Sequence, residues 1–464
     1  MGLDVEKFFE RLRSPRSLMR AVAALALVAT ACGGGTPAAP AAKPAEPAKP
    51  AAAADKPAAA ADKPAAQPAQ QGSPSKPAES AAPAASGAGG TVSCAEHASK
   101  GNGGAKIVIG ADASLTGATA SFGQGMKKGI EVCLKEFNEA GGYQGRLVEI
   151  PILDDEVKPE KAVNNITRFI QQDKVVGIIG PVNSGNALAF LPKAEEAEIP
   201  VIIPIATAVQ LVYNVDKDLK ITGAKKYVFR TSMQDDYQVE KIMAYAKAKG
   251  WDALGLMHDT SGYGTATGAV AEKIISSQGI KIPQKQTYNI GDTDMTSQLT
   301  KMKDAGVKQI INFGLGPENS NLLKSAEKIG YKPQWSGAWG WSDPVVPQLA
   351  GKDLSNGVIT LASFTIDQSP AAANFHEKVM KGYNENPFPI TAAQAYDATK
   401  MMLMALSKAG PDSKKVRDAI ESLDGFKGVT AAPSKPYSAT KHHSLEADNI
   451  FVATWKDGSL IKAQ

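Results

Sequence analysis

Residues 107–156 read IVIGADASLTGATASFGQGMKKGIEVCLKEFNEAGGYQGRLVEIPILDDE, residues 175–190 read VVGIIGPVNSGNALAF and residues 199–208 read IPVIIPIATA. Short apolar runs of strand length alternate with longer segments of helical periodicity, and each strand-like run ends in Ser, Thr, Asn or Gly. That rhythm predicts an α/β fold with a parallel sheet, its strand ends bringing small hydrogen-bonding groups to one point. The expected elements are strands over 106–111, 147–153, 175–179 and 201–203. Helices are expected over 124–140, stopped by Gly141-Gly142, over 159–172 with Pro159 in its first turn, and from about Gly185.

After Phe229-Arg230 the pattern restarts. Helices over 237–249, 264–278 and 295–305 alternate with strands over 253–258, 281–288 and 309–313. Two doubly wound, Rossmann-like halves follow, and 464 residues suit two lobes plus accessory segments.

The ordered motifs resemble those of the branched-chain amino-acid-binding proteins, the soluble receptors of bacterial ABC importers with the type I periplasmic-binding fold. The pieces are SLTG at 114–117, FGQGM at 122–126, NEAGGYQGR at 138–146, GPVNSG at 180–185, IPVIIPIATA at 199–208, SGYG at 261–264, GDTDMTSQL at 291–299 and AYDATKMML at 395–403. Each is weak alone; their order is specific. The resemblance implies a three-segment hinge with crossings near 229–232, 357–362 and 432–440. Lobe one would take residues 91–230 and 362–433, and lobe two residues 231–361 and 434–464. A small ligand would sit in the interlobe cleft.

The termini and composition fit an extracytoplasmic protein. Arg11, Arg13, Arg16 and Arg20 precede an apolar run over 21–31 that is shorter than the roughly 20 residues of a membrane span. Ala29-Thr30-Ala31-Cys32 resembles a lipobox with Ala where Leu is usual. Residues 1–32 then read as a lipoprotein signal peptide with Cys32 lipidated; an ordinary secretory signal and a permanent membrane helix are the other readings. Residues 33–90 are almost wholly Ala, Pro, Lys, Gly and Ser, a composition without core-forming residues that reads as a tether. With Cys32 lipidated, Cys94 and Cys133 remain as a pair, either a disulfide outside the cytoplasm or two free thiols. A net charge of +4 gives no concentrated basic face for nucleic acid.

For ligand contact the resemblance implies Ser114, Phe122, Ser184, Gly185, Ile205, Ala206 and Thr207 in lobe one, and Tyr263 and Trp339 in lobe two. Ser184 and the Gly185 amide stand at a helix start, where free N–H groups favour a carboxylate; the carbonyl of Ile205 offers an acceptor beside Thr207. Plainer readings exist: Ser184 as a helix cap, Thr207 as a strand-end turn, Phe122 as core, and Trp339 packed on Trp341. Two positions depart from the family pattern. Trp339 stands where amino-acid binders carry an acid for the ligand ammonium, and Leu315-Gly316 replaces a tyrosine. Trp339 would suit a cation or an apolar or aromatic ligand. Asp343, Asp235 and Asp236 are nearby acids.

No nucleophile elbow or zinc spacing surrounds His97, His258, His376 or the adjacent pair His442-His443, the last expected on an exposed loop. Asp154-Asp155 reads as loop structure. The expectation is a monomeric, non-enzymatic binder without cofactor or metal, partnered by an ABC permease and ATPase complex and held to the membrane through its N-terminal lipid. A non-amino-acid ligand (amide, urea or aromatic carboxylate) and a ligand-sensing receptor are the alternatives.

Overall fold

The computed structural model describes residues 92–386 and 388–463. The signal peptide, Cys32 and the tether lie outside the described residues. The first sheet holds five parallel strands: β1 (Gly110–Ala113), β2 (Ile152–Asp154), β3 (Ile178–Ile179), β4 (Val201–Ile203) and β5 (Val228–Arg230), in the order β2-β1-β3-β4-β5. Helices α1 (Ala120–Glu139), α2 (Pro159–Arg168) and α3 (Ser184–Glu196) follow β1, β2 and β3.

The second sheet follows α4 (Asp235–Ala248). Its strands are β6 (Gly255–Asp259), β7 (Lys285–Tyr288), β8 (Gln309–Phe313), β9 (Gln334–Gly337), β10 (Ile359–Ala362), β11 (Phe451–Lys456) and β12 (Ser459–Lys462). Their order is β7-β6-β8-β9-β10-β11-β12, with β10, β11 and β12 joined antiparallel. Helices α5 (Gly262–Ser277), α6 (Thr296–Asp304) and α7 (Gly316–Lys328) alternate with the strands. Between β10 and β11 the chain returns to lobe one as α8 (Pro370–Tyr383), α9 (Pro389–Ala409) and α10 (Ser413–Glu421), where α9 packs along α1. Two doubly wound lobes are therefore present, as the repeated rhythm implies.

Local chemistry explains where elements differ from expectation. The strand expected over 147–153 is split into Val148–Glu149 and Ile152–Asp154 around Pro151, which has no N–H for a ladder. The helix expected over 159–172 changes at Phe169 into a π-helical turn, Phe169–Asp173, ended by Lys174 in the left-handed region at φ 50°. Gly142, at φ 65°, caps α1 by donating to Phe137 O at 3.0 Å.

The chain passes between sheets after Arg230, after Ala362 and between Glu421 and Phe451. These passages are bonded to one another. Arg230 N donates to His442 O at 2.8 Å, and Ser444 N donates to Arg230 O at 2.9 Å. Thr231 Oγ1 donates to Gln394 O at 3.1 Å, while Gln394 Nε2 reaches Ser363 Oγ at 3.0 Å, so one α9 residue touches two passages.

His442 and His443 are not on an exposed loop. They are 1% and 6% exposed, inside this hinge layer. His442 stacks on Phe229 at 4.3 Å and its Nδ1 meets Val228 O at 2.9 Å. His443 lies between the hydroxyls of Tyr213 (2.6 Å) and Tyr237 (3.2 Å). Burial, with Arg230 nearby, pulls the His443 pKa down to about 4. Pairing beside Arg230 draws this stretch inward, a long-range effect invisible in two adjacent polar residues.

Cys94 and Cys133 are disulfide-bonded, joining the first described turn, Cys94–His97, to the middle of α1. Across the lobes, Ser121 Oγ of α1 donates to Asp343 Oδ2 at 2.9 Å, and Val345 N donates to the other oxygen at 3.0 Å. Asp343 is fully buried, and burial, opposed by hydrogen bonds from Val345 and Ser121, raises its pKa to about 6.

Two outcomes are expected. Replacing both Cys94 and Cys133 by Ser lowers the unfolding free energy by roughly 2–4 kcal/mol in denaturant titration, since the bridge closes a loop in the unfolded chain; an unchanged midpoint would refute this. The raised Asp343 pKa gives stability that is full below pH ~4 and lost as pH rises through about 6. Between pH 4 and 7.5, Asp343→Asn should flatten the stability profile by about 3 kcal/mol relative to the parent; parallel profiles would exclude this role.

Candidate functional site

Both sheets reverse their winding beside their first strand, between β1 and β3 in lobe one and between β6 and β8 in lobe two. Loops leaving the carboxyl ends of such strands diverge to opposite faces and open a crevice. Here the two crevices face each other. Residues after β1, β3 and β4 meet those after β6, β8 and β9 around an internal space of about 30 Å³.

Phe122, Ser184, Ile205, Ala206, Thr207, Tyr263 and Trp339 line this space together. Ser114 and Gly185 do not. Ser114 is fully buried behind the wall, its hydroxyl donating to Asp155 Oδ1 at 2.6 Å. Gly185 meets Gly262 of the other lobe, so closely that a Cβ on Gly262 would fall 2.5 Å from Gly185 Cα. Sequence reasoning passed over Thr119, Val182, Asn183 and Gly340 as contacts and treated Leu315 only as a departure; all five line the space. Thr119 and Asn183 lie in or beside the motifs SLTG and GPVNSG, so motif position was the available signal.

Each polar group is held from behind. Ser184 is the first residue of α3, and Asn183 occupies the cap position, so Ser184 is not the cap. Its hydroxyl accepts from Ala208 N at 3.4 Å. The Ser184 and Gly185 amides find no acceptor among the described residues. The Thr207 carbonyl accepts from Arg230 Nη1 at 2.7 Å and from Asp235 N at 3.2 Å, fixing the β4 loop. The hydroxyl of Tyr263 is buried and has no hydrogen-bond partner among the described residues. The N-termini of α3 and α5 thus meet across the cleft, both positive ends of helix dipoles.

The apolar wall is aromatic. Phe122 meets Trp339 edge-on at 5.3 Å and Phe388 at 4.7 Å. Trp341 is separate: it packs on Trp335 at 5.6 Å and donates through Nε1 to Asn312 O at 3.1 Å. Packing of Trp339 on Trp341 is therefore not what holds Trp339.

No charged side chain lines the space. The carboxylates lie one layer deeper. Asp235 accepts from Thr267 Oγ1 at 2.7 Å; burial raises its pKa to about 6 against hydrogen bonds from Thr207 and Thr267 and the attraction of Arg230. Asp259 accepts from Ser261 N at 2.9 Å and Leu315 N at 3.1 Å, and burial also raises its pKa. Asp154 ties down the loop after β1, accepting from Leu115 N at 2.9 Å and Thr116 Oγ1 at 2.7 Å. Among the described residues no group of three or more His, Cys, Asp or Glu side chains is arranged to hold a metal.

The family model for periplasmic binding proteins matches residues 106–459. The chain is 26% identical over 318 residues to a leucine-, isoleucine-, valine-, threonine- and alanine-binding protein of Pseudomonas aeruginosa, covering 68% of this chain and 82% of that one. Among solved structures it is similar to a type 1 periplasmic binding protein from Bordetella pertussis, with TM-score 0.71 and 29% identity over 77% of this chain and 100% of that one. It is also similar to a branched-chain amino acid transporter substrate-binding protein from Streptococcus pneumoniae in complex with isoleucine, with TM-score 0.65 and 26% identity over 76% and 97%. With sheets, cleft and sequence in agreement over most of its length, the chain belongs to the periplasmic binding protein family.

Proposed function

We propose that this protein captures a small carboxylate- or amide-bearing ligand in the interlobe cleft and delivers it to an ABC importer outside the cytoplasm, held there through lipid on Cys32. The observation that carries the reading is the pair of unmet donors in the cleft lining: the Ser184 amide and the buried Tyr263 hydroxyl. Two helix N-termini facing each other favour an anion between them. The Ile205 carbonyl supplies an acceptor beside them. A space of about 30 Å³ is the size of one water, so a ligand enters only when the lobes part at the hinge. The residues lining this space have no nucleophile–base pair, which favours binding over chemistry.

The relatives named above suggest a branched-chain amino acid. One observation favours a second class: the lining has no carboxylate for an ammonium, and Trp339 stands where an acid would serve. An aromatic carboxylate or an amide suits that wall better. Neighbouring genes for two permeases and two ATPases would support import, and a histidine kinase gene would support sensing.

The test is isothermal titration of refolded, ligand-free protein. The panel holds L-leucine, L-isoleucine, L-valine, their desamino acids and amides, and benzoate. At least one carboxylate should bind, and Thr207→Ala should weaken it on the order of ten-fold. Tight stereospecific binding of L-leucine or L-valine would reject the second class. No binding across the panel would reject the site.

A further inference from the structure

Resting on that reading of the cleft, we propose that Asn183 is a specificity-determining residue. Its side-chain carbonyl is a fixed acceptor beside the Thr119 hydroxyl as donor, and the pair selects ligands whose side group both donates and accepts, an alcohol or a primary amide, over purely apolar ones.

The direction of the Asn183 amide follows from hydrogen-bond bookkeeping rather than from the placement of its atoms. Ser114 has a single hydroxyl hydrogen, and it is given to Asp155 Oδ1 at 2.6 Å. Asp155 Oδ1 also accepts from Val157 N at 2.9 Å, which fixes that oxygen as an acceptor. Beside it, burial and the neighbouring Asp155 raise the Asp112 pKa well above the usual carboxylate range. The Ser114 oxygen is then left only its lone pairs toward the cleft, so the group meeting it at 2.7 Å must be the NH₂ of Asn183. The second N–H of that NH₂ goes to Thr119 Oγ1 at 2.9 Å. Turning the amide over would set its carbonyl against the Ser114 lone pairs.

Both Asn183 N–H groups are therefore spent on the wall. The carbonyl is not spent: Asn183 sits at the cap position of α3 yet makes no side-chain bond to the helix. It lines the cleft, as does Thr119. The Thr119 hydroxyl, which accepts from Asn183, keeps its own hydrogen to donate. An acceptor and a donor thus stand side by side in the lining, whose remaining residues other than Ser184, Thr207 and Tyr263 are apolar or glycine. A ligand presenting only methyl groups there would leave both unpaired, which costs affinity.

Two near-isosteric pairs of probes test this: L-valine against L-threonine, and 4-methylpentanoate against succinamate, the second pair lacking an ammonium. Calorimetric affinities should favour the polar member of at least one pair on the order of ten-fold. Asn183→Leu should abolish or invert that ratio. Ser114→Ala, which frees the amide to turn over, should reduce it, with circular dichroism and thermal unfolding as the check on folding. Thr207→Ala should weaken both members alike and keep the ratio. Preference for the apolar members, a ratio that survives Asn183→Leu, or no binding of any of the four overturns the proposal. Equal binding within pairs that still weakens with Thr207→Ala overturns it while leaving the site reading intact.

Discussion

The cleft depends on one buried cation. Arg230 is fully buried, and among the described residues its guanidinium makes no ion pair with a carboxylate. It donates instead to the carbonyls of Thr207 and Ala208, at 2.7 and 2.9 Å, and to Gln234. Taking a charge out of water costs several kcal/mol unless its hydrogens are met, so these carbonyls hold their positions as firmly as the cation does. The backbone of the same residue carries the hinge pairing with His442 and Ser444. One side chain therefore fixes the loop that presents Ile205 and Thr207, while its main chain pairs two of the passages between the sheets. The cleft wall and the pairing of the inter-sheet passages therefore share one residue.

The other half of the cleft is organised by layers. Donors and aromatic rings form the surface, and carboxylates stand behind them. Asp235 and Asp259 act through what they hold: Thr267 of α5 for one, the cap residue Ser261 of α5 and the loop amide of Leu315 for the other. Asp259 lies at the N-terminus of α5, bonded to its cap residue Ser261, while the first amides of α3 have no such carboxylate behind them. Trp339 completes the surface layer with its backbone N–H held by Gln238 at 3.1 Å.

Much of this was legible from the chain itself. Alternating apolar runs and helical segments identified both sheets, because a parallel strand buried on two faces has little sequence freedom. Seven of the expected residues came together because each lies in the loop or first helical turn after a strand, and the carboxyl ends of strands on one edge of a parallel sheet converge. Ser114 also sits at a strand end, yet faces Asp155 rather than the cleft; the alternation of a strand continued by one residue turned it inward. Asn183 escaped notice because its role depends on Ser114 and Thr119, far away in sequence and joined only by folding. His442-His443 misled for the same reason: polar residues paired to a distant strand look like a loop. Trp339 was legible as a departure, but its partner Phe388 was not, since that contact joins two lobes.

The disulfide has a mechanical meaning. Any pull arriving from the N-terminal side of the chain reaches Cys94 and passes through a covalent bond to Cys133 in α1, which packs along α9. The load therefore enters the body of lobe one without running through β1 or the strands of the hinge. The first described turn is thus joined covalently to the body of lobe one, apart from the passages that link the two sheets.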